Sequence, residues 1–175
     1  MSRTRWKAGS RVLALALGVG LTMACKDAAQ PMEPDVLEGL GPGIHPVVVV
    51  AGKSGSTTQV ELHLRRVQVE DRVASYQGEL EYDTGKLSLV GAELPGGIAG
   101  AWNETAPGKI RFAGATLEGI ADAAVLVMRF EAKGDVKAGA FKVRMEEVVA
   151  SVEFRNLTPQ VVSSEQPLFS SRPLP

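Results

Sequence analysis

The chain predicts an all-β protein, a sandwich or barrel of roughly nine short strands. Three observations carry this expectation. From Pro46 onward, apolar and polar residues alternate in short runs. Turn residues interrupt those runs at intervals of roughly 8 to 15 residues. No segment shows the three-to-four-residue apolar spacing of an amphipathic helix. Period-2 alternation means that each strand buries one face and shows the other to water.

Taken in order, the first strand is read at 47–51, and the second is the run in which Val60, Leu62 and Leu64 alternate with polar neighbours. Val67-Gln68-Val69 leads into a charged turn at Glu70-Asp71-Arg72. In 73–82, Tyr76, Gly78, Leu80 and Tyr82 share one face, which reads as core, while Gln77, Glu79 and Glu81 share the other. The next strand is read at 87–94, then a Gly-rich loop over 95–100 and a short run around 98–103. After the Pro107-Gly108 turn, Lys109-Ile110-Arg111-Phe112 alternates cleanly. Ala124, Leu126, Met128 and Phe130 alternate with Val125, Val127, Arg129 and Glu131; Phe141, Val143 and Met145 alternate with Lys142, Arg144 and Glu146. Val152 and Phe154 open a last strand that continues through Val161 and Val162. The folded domain is therefore expected over 46–163, with 164–175 a disordered tail.

Between two of these strands stands Asp83-Thr84-Gly85. No second carboxylate stands at metal-ligand spacing from Asp83, and no histidine is beside it. Asp83 is expected to start a tight turn, its side chain accepting from the backbone two residues on, with Gly85 at positive φ.

The amino-terminal segment carries an address. Arg3, Arg5, Lys7 and Arg11 form a basic region, and an uncharged, mostly apolar stretch of about a dozen residues follows, too short to span a bilayer but right for a signal peptide. It ends Leu21-Thr22-Met23-Ala24-Cys25, which resembles a bacterial lipobox with Thr22 where a branched aliphatic is preferred. Residues 1–24 are thus expected to be removed and Cys25 acylated. Cys25 is the chain's single cysteine, and lipidation accounts for an otherwise unpaired thiol in an exported protein. Several acyl chains give firm anchoring where one is marginal. Residues 25–45, rich in Pro and Gly, read as a flexible tether. The protein is expected at the bacterial cell envelope, at the outer membrane or cell surface, held to the membrane through the anchor alone.

Loss of residues 1–24 changes the balance from 19 basic against 20 acidic to 15 against 20, a net charge of −5. An acidic, unpatterned surface argues against nucleic acid or anionic headgroups as main partners.

Catalytic constellations are weak throughout. Gly52-Lys53-Ser54 after a strand mimics the end of a phosphate loop, but Val47 occupies the place of its first glycine and a β-branched run follows where a helix is required. His45 and His63 are two histidines without HExxH, Cys partner or calcium-loop spacing, and read as solvated surface residues. No nucleophile elbow is present. Asn103-Glu104-Thr105 and Asn156-Leu157-Thr158 match the glycosylation sequon, but these asparagines read better as turn residues. No catalytic residue, metal site or cofactor is expected. Trp102 is the candidate platform for stacking a sugar ring.

The segment "YQGELEYDTGKLSLVGAE" (76–93) resembles the cohesin family, in which an alternating strand runs through Tyr-Asp-Pro into a Leu-rich strand; Thr84 stands in the proline's place. "GKIRFAGATLEGIADAAVLVMRFEAKG" (108–134) is similar to the family's strand, loop and long Phe-ended strand. The resemblance covers roughly 46–162 and implies a nine-stranded jelly-roll sandwich, a shape shared with carbohydrate-binding modules. It implies a non-catalytic module that docks a protein partner, dockerin-like or other, or less often a polysaccharide; the domain is expected to be a monomer. Gln77, Glu79 and Glu81 are candidates for the docking surface, as is the charged face Lys142-Arg144-Glu146. Two alternatives stay open: a carbohydrate-binding module using Trp102 on a polysaccharide, and a structural envelope lipoprotein.

Overall fold

The computed structural model describes residues 40–162 and 167–170. Residues 1–24, Cys25 and most of the tether lie outside the described residues.

Among the described residues, nine strands form two sheets: β1 (Gly43–Ser54), β2 (Thr57–Val67), β3 (Val73–Tyr82), β4 (Leu87–Glu93), β5 (Ala99–Ala106), β6 (Lys109–Ile120), β7 (Ala124–Ala132), β8 (Phe141–Ala150) and β9 (Leu168–Ser170). One sheet has the order β4-β7-β2-β1-β9 and the other β5-β6-β3-β8. Between these strands every pairing is antiparallel except β1 with β9, and Ile44 of β1 also makes a parallel bridge to Val161. The two sheets pack face to face as the expected jelly-roll sandwich.

Alternation dictates the core. In β2, Thr58, Val60, Leu62 and Leu64 are buried and their odd-numbered neighbours are not. Leu126, Met128 and Phe130 of β7 extend that inner face, and Tyr76, Leu80, Ile110, Phe112, Phe141 and Val143 supply the opposite one. Fully burying a side chain of this size contributes about 1.5–3 kcal/mol. Tyr82 and Phe130 meet edge-on at 5.0 Å, and Phe130 meets Phe141 at 5.8 Å, so both sheets contribute to one aromatic cluster. The phenol of Tyr76 on β3 donates to the carbonyl of Val125 on β7 at 2.6 Å, a polar cross-link between sheets. Close packing leaves no room at Gly114: a Cβ there would lie 2.4 Å from the Tyr76 hydroxyl.

The structure corrects several expectations. Val152 and Phe154 begin no strand. The Ala150 N–H donates to the Arg155 carbonyl at 2.8 Å, and Glu153 and Phe154 adopt φ of 59° and 48°. The chain reverses there, so an alternating pattern stands in solvent. The last strand lies instead within the segment expected to be a disordered tail: Leu168–Ser170 pairs in parallel with Val47–Val49 and covers the edge of β1, which would otherwise present unpaired backbone. The sandwich also begins earlier than expected, at Gly43.

Gly85 does not take positive φ. Lys86 and Leu87 N–H both donate to the Asp83 carbonyl, at 3.0 and 2.9 Å, which winds the turn in the right-handed sense. The expected side-chain bond is present: the Gly85 N–H donates to Asp83 Oδ1 at 2.9 Å. Lys86 Nζ sits 2.8 Å from Asp83 Oδ2, and it, ahead of the Gly85 N–H, holds this carboxyl below the usual range.

The histidines are not solvated. His45 is buried, its Nε2 2.9 Å from the Gly41 carbonyl. His63 is half-buried on the outer side of β2, 3.0 Å from Glu61, with Nδ1 out of solvent.

Candidate docking face

The outer face of the four-stranded sheet follows from register. Residues directly opposite one another across an antiparallel ladder share a face. Glu79 is opposite Arg111 on one side and Arg144 on the other, and Asn103 extends that row. Glu81 is opposite Lys109 and Lys142. Gln77 is opposite Ala113, with Ala101 beyond it, and Ser75 is opposite Ala115, with Ala99 beyond.

The half around Glu79 and Glu81 is a grid of opposite charges. Lys109 Nζ lies 3.1 Å from Glu79 Oε1 and 3.0 Å from Glu81 Oε1, and these carboxylates, Glu81 first, raise the lysine's pKa. A bulge in β8 skips Glu146, because Gln77 pairs with Glu147 and Gly78 with Met145. The skipped residue turns onto the outer face. There Glu146 accepts from Gln77 Nε2 at 2.8 Å, Arg111 Nη2 at 2.7 Å and Arg144 Nη2 at 2.9 Å. Gln77 first, then Arg111, hold its carboxyl below the ordinary range. Four acidic residues (Glu79, Glu81, Glu146, Glu147) face four basic ones (Lys109, Arg111, Lys142, Arg144).

The other half is neutral and low. Ala99, Ala101, Ala113, Ala115 and Ser75 form a band of small side chains, with shallow depressions bordered by Gln77, Arg111 and Glu147. A flat face of short side chains beside internally paired charges suits a protruding macromolecular surface better than a small molecule, which needs a concave pocket. Among the described residues, no group of three His, Cys, Asp or Glu is placed to hold a metal.

Gln77, Glu79 and Glu81 are thus brought together on this face, and Arg144 and Glu146 join them. Trp102 is not among them. It stands opposite Phe112, on the inner side of β5, half-buried against the core, and it also borders the shallow depression lined by Gln77 and Arg111. Asp83 and Gly85 lie in the β3–β4 turn. Asn156 serves a turn, accepting from the Thr158 N–H at 2.9 Å, whereas Asn103 lies within β5. The residues missed by sequence reasoning are Lys109, Arg111, Glu147 and the alanine band. The alternation of Lys109 to Phe112 was visible; that β6 is the neighbour of β3 was not.

A family model described as the cohesin domain matches residues 46–164. The chain belongs to the cohesin family. Solved cohesins share the fold at low identity. The sixth cohesin of scaffoldin B from Acetivibrio cellulolyticus, crystallised with a Cel5 dockerin, superimposes with a TM-score of 0.53 at 15% identity, covering 74% of this chain and 99% of that one. The cohesin module of a family 33 glycoside hydrolase from Clostridium perfringens gives 0.53 at 16%, covering 76% and 100%. The OlpA cohesin from Clostridium thermocellum, in a type I cohesin–dockerin complex, gives 0.52 at 17%, covering 74% and 99%. No curated protein matches the chain. As a cohesin, the domain is of a kind that binds partners rather than transforms substrates.

Proposed function

We propose that this cohesin is a monomeric, non-catalytic docking module, lipid-anchored at the bacterial envelope through Cys25, and that the outer face of β5-β6-β3-β8 captures a protein partner of the dockerin kind. The observation that carries the reading is the composition of that face. Its charges balance, four acidic against four basic, and all but Lys142 and Glu147 are ion-paired within the face, so a partner need not neutralise a net charge, and the alanine band lets another backbone approach closely. Solved relatives at TM-scores above 0.5 were crystallised with dockerins, which supports the class of partner. Polysaccharide binding through Trp102 is less favoured, because an indole packed on the core offers little free ring surface.

The test is capture from the source cell's envelope and secreted fractions by the full-length protein. Ala101→Arg and Ala115→Arg, both at exposed positions on the face, are expected to weaken capture at least tenfold. Glu131→Arg, exposed on the other sheet, is expected to leave it unchanged. Equal capture by all variants refutes the face, and no specific partner refutes docking. For the anchor, globomycin is expected to cause the precursor to accumulate; normal processing refutes acylation of Cys25.

A further inference from the structure

β1, β3 and β7 begin, and β2, β6 and β8 end, at one pole of the sandwich: Gly43 pairs with Val67, and Val73 pairs with both Ile120 and Ala150. The chain arriving from the amino terminus enters the domain at this pole. Three of the most exposed large apolar side chains stand there too: Leu117 at 102%, Phe154 at 79% and Val152 at 63%. Val162, at the same pole through its N–H bond to the Ile44 carbonyl, is exposed as well.

The apolar tip is built, not frayed. Ala150 N–H donates to the Arg155 carbonyl and Ser151 N–H to the Arg72 carbonyl, both at 2.8 Å, and Arg155 pairs with Asp71. Between these braces, Glu153 and Phe154 are both held at left-handed φ, which costs a non-glycine residue on the order of 1 kcal/mol or more. That conformation keeps the Phe154 ring in solvent. Leu117 is presented by a second irregularity. Ser75 pairs with Ala115 and Val73 with Ile120, so residues 116–119 bulge outward. Gly119, at φ of 70°, lies against Arg72 and Ser151 where a Cβ would collide at 2.7–3.0 Å. The bulge and the tip therefore meet at Ser151.

We propose that this pole rests on the bilayer, with Leu117, Val152 and Phe154 entering the interfacial layer of the membrane that holds Cys25. The inference rests on the reading of Cys25 as acylated. The occupant follows from where the chain enters. Covalent geometry limits a chain from Cys25 to Gly43 to about 60 Å, and this pole is the one that receives it, so it is the pole nearest to the lipid along the chain. Apolar side chains on a folded surface bind such an interface by burying area in the headgroup and acyl boundary. Around the tip the acidic Glu70, Asp71, Glu118 and Glu153 outnumber the basic Arg72 and Arg155, so the matching surface is zwitterionic rather than anionic.

The test uses the mature acylated protein in phosphatidylcholine vesicles, with brominated lipid as quencher. Its native tryptophan, Trp102, is half-buried against the core and gives the background. Leu117→Trp and Phe154→Trp are expected to add blue-shifted emission that brominated lipid quenches at least twofold. Ser56→Trp, in the exposed β1–β2 turn at the opposite pole, is expected to stay unquenched, and phosphatidylserine is expected to weaken the quenching. A protein that floats with the vesicles while all three positions stay unquenched overturns this proposal and leaves the anchor standing. A mature chain that lacks acyl groups by mass and fails to float overturns both. Burial of the tip by a co-purifying protein instead of lipid also overturns it.

Discussion

Removing one oxygen atom tests the cross-link between the sheets. In Tyr76→Phe the ring keeps its place beside Phe112, 6.2 Å away between centroids, and only the 2.6 Å bond to the Val125 carbonyl is lost. A typical hydrogen bond contributes about 0.5–1.5 kcal/mol net, and leaving a buried partner unsatisfied costs about 1–3 kcal/mol. The upper part of that range applies. The β2–β7 register skips Val125, passing from Leu62 opposite Leu126 to His63 opposite Ala124, and Val125 is fully buried. A loss of about 1–3 kcal/mol corresponds to a melting temperature lower by about 3–12 °C for a domain of this size, read by circular dichroism and by urea titration. Burial also raises the Tyr76 pKa above its ordinary value of 10.0, and burial followed by Glu104 pushes Tyr82 up to about 12. The neutral phenols are favoured in the folded state. Their contribution is therefore complete below pH 10 and is lost as pH rises above it, by up to about 1.4 kcal/mol per pH unit for one group. The variant should accordingly close its gap to the wild type above pH 10. A variant within 0.5 kcal/mol of wild type at pH 7, or a gap unchanged to pH 11, refutes the cross-link.

Three further outcomes follow from local geometry. Asp83→Ala should lower the melting temperature, and the difference should vanish at acid pH. The carboxyl's lowered pKa contributes above the unfolded value and is lost as pH falls through the folded one; partner capture should be unchanged, and its loss in a folded variant would overturn the purely structural role. Arg66→Met should destabilise by about 2–4 kcal/mol in urea titration, because this guanidinium donates to the carbonyls of Val69, Glu70, Asp71 and Ala121; a loss under 1 kcal/mol would show that the loops hold themselves. Phe154→Gly should stabilise by about 1 kcal/mol through relief of the left-handed strain while weakening quenching by brominated lipid from Leu117→Trp.

Strand identity was legible wherever alternation was driven by a buried face. The run 73–82 was read with the bounds it has, and the inward side of β7 was read residue by residue, because both lie mid-sheet with two partners. The reading failed where alternation had another cause. Val152 and Phe154 copy the pattern while facing water, and Leu168–Ser170 is too short to show any period. His45 looked polar and exposed, but the Gly41 carbonyl supplies a partner that lets it be buried. On the docking face, β3's contribution was visible and its neighbours were not. Which strands flank β3 is a property of topology, and the bulge that turns Glu146 outward inserts one residue without a composition signal.

The two proposals constrain each other through the direction of the strands. Every strand runs between the pole where the chain enters and the pole holding the β1–β2 turn and Asp83. With the entry pole on lipid, the strands stand away from the membrane and the docking face looks sideways. Its alanine band, with Ala99 and Ala115, lies nearest the bilayer, and the grid around Glu81, Lys109 and Lys142 lies farthest from it. A partner must then approach along the membrane plane and meet the charge grid first. Because most of that grid is already paired, Lys142 excepted, early contacts add little affinity and mainly fix orientation, leaving burial over the alanine band to hold the complex. Salt should therefore affect the rate of capture more than its lifetime. A lifetime that falls steeply with salt would place the binding energy in the grid and overturn this division.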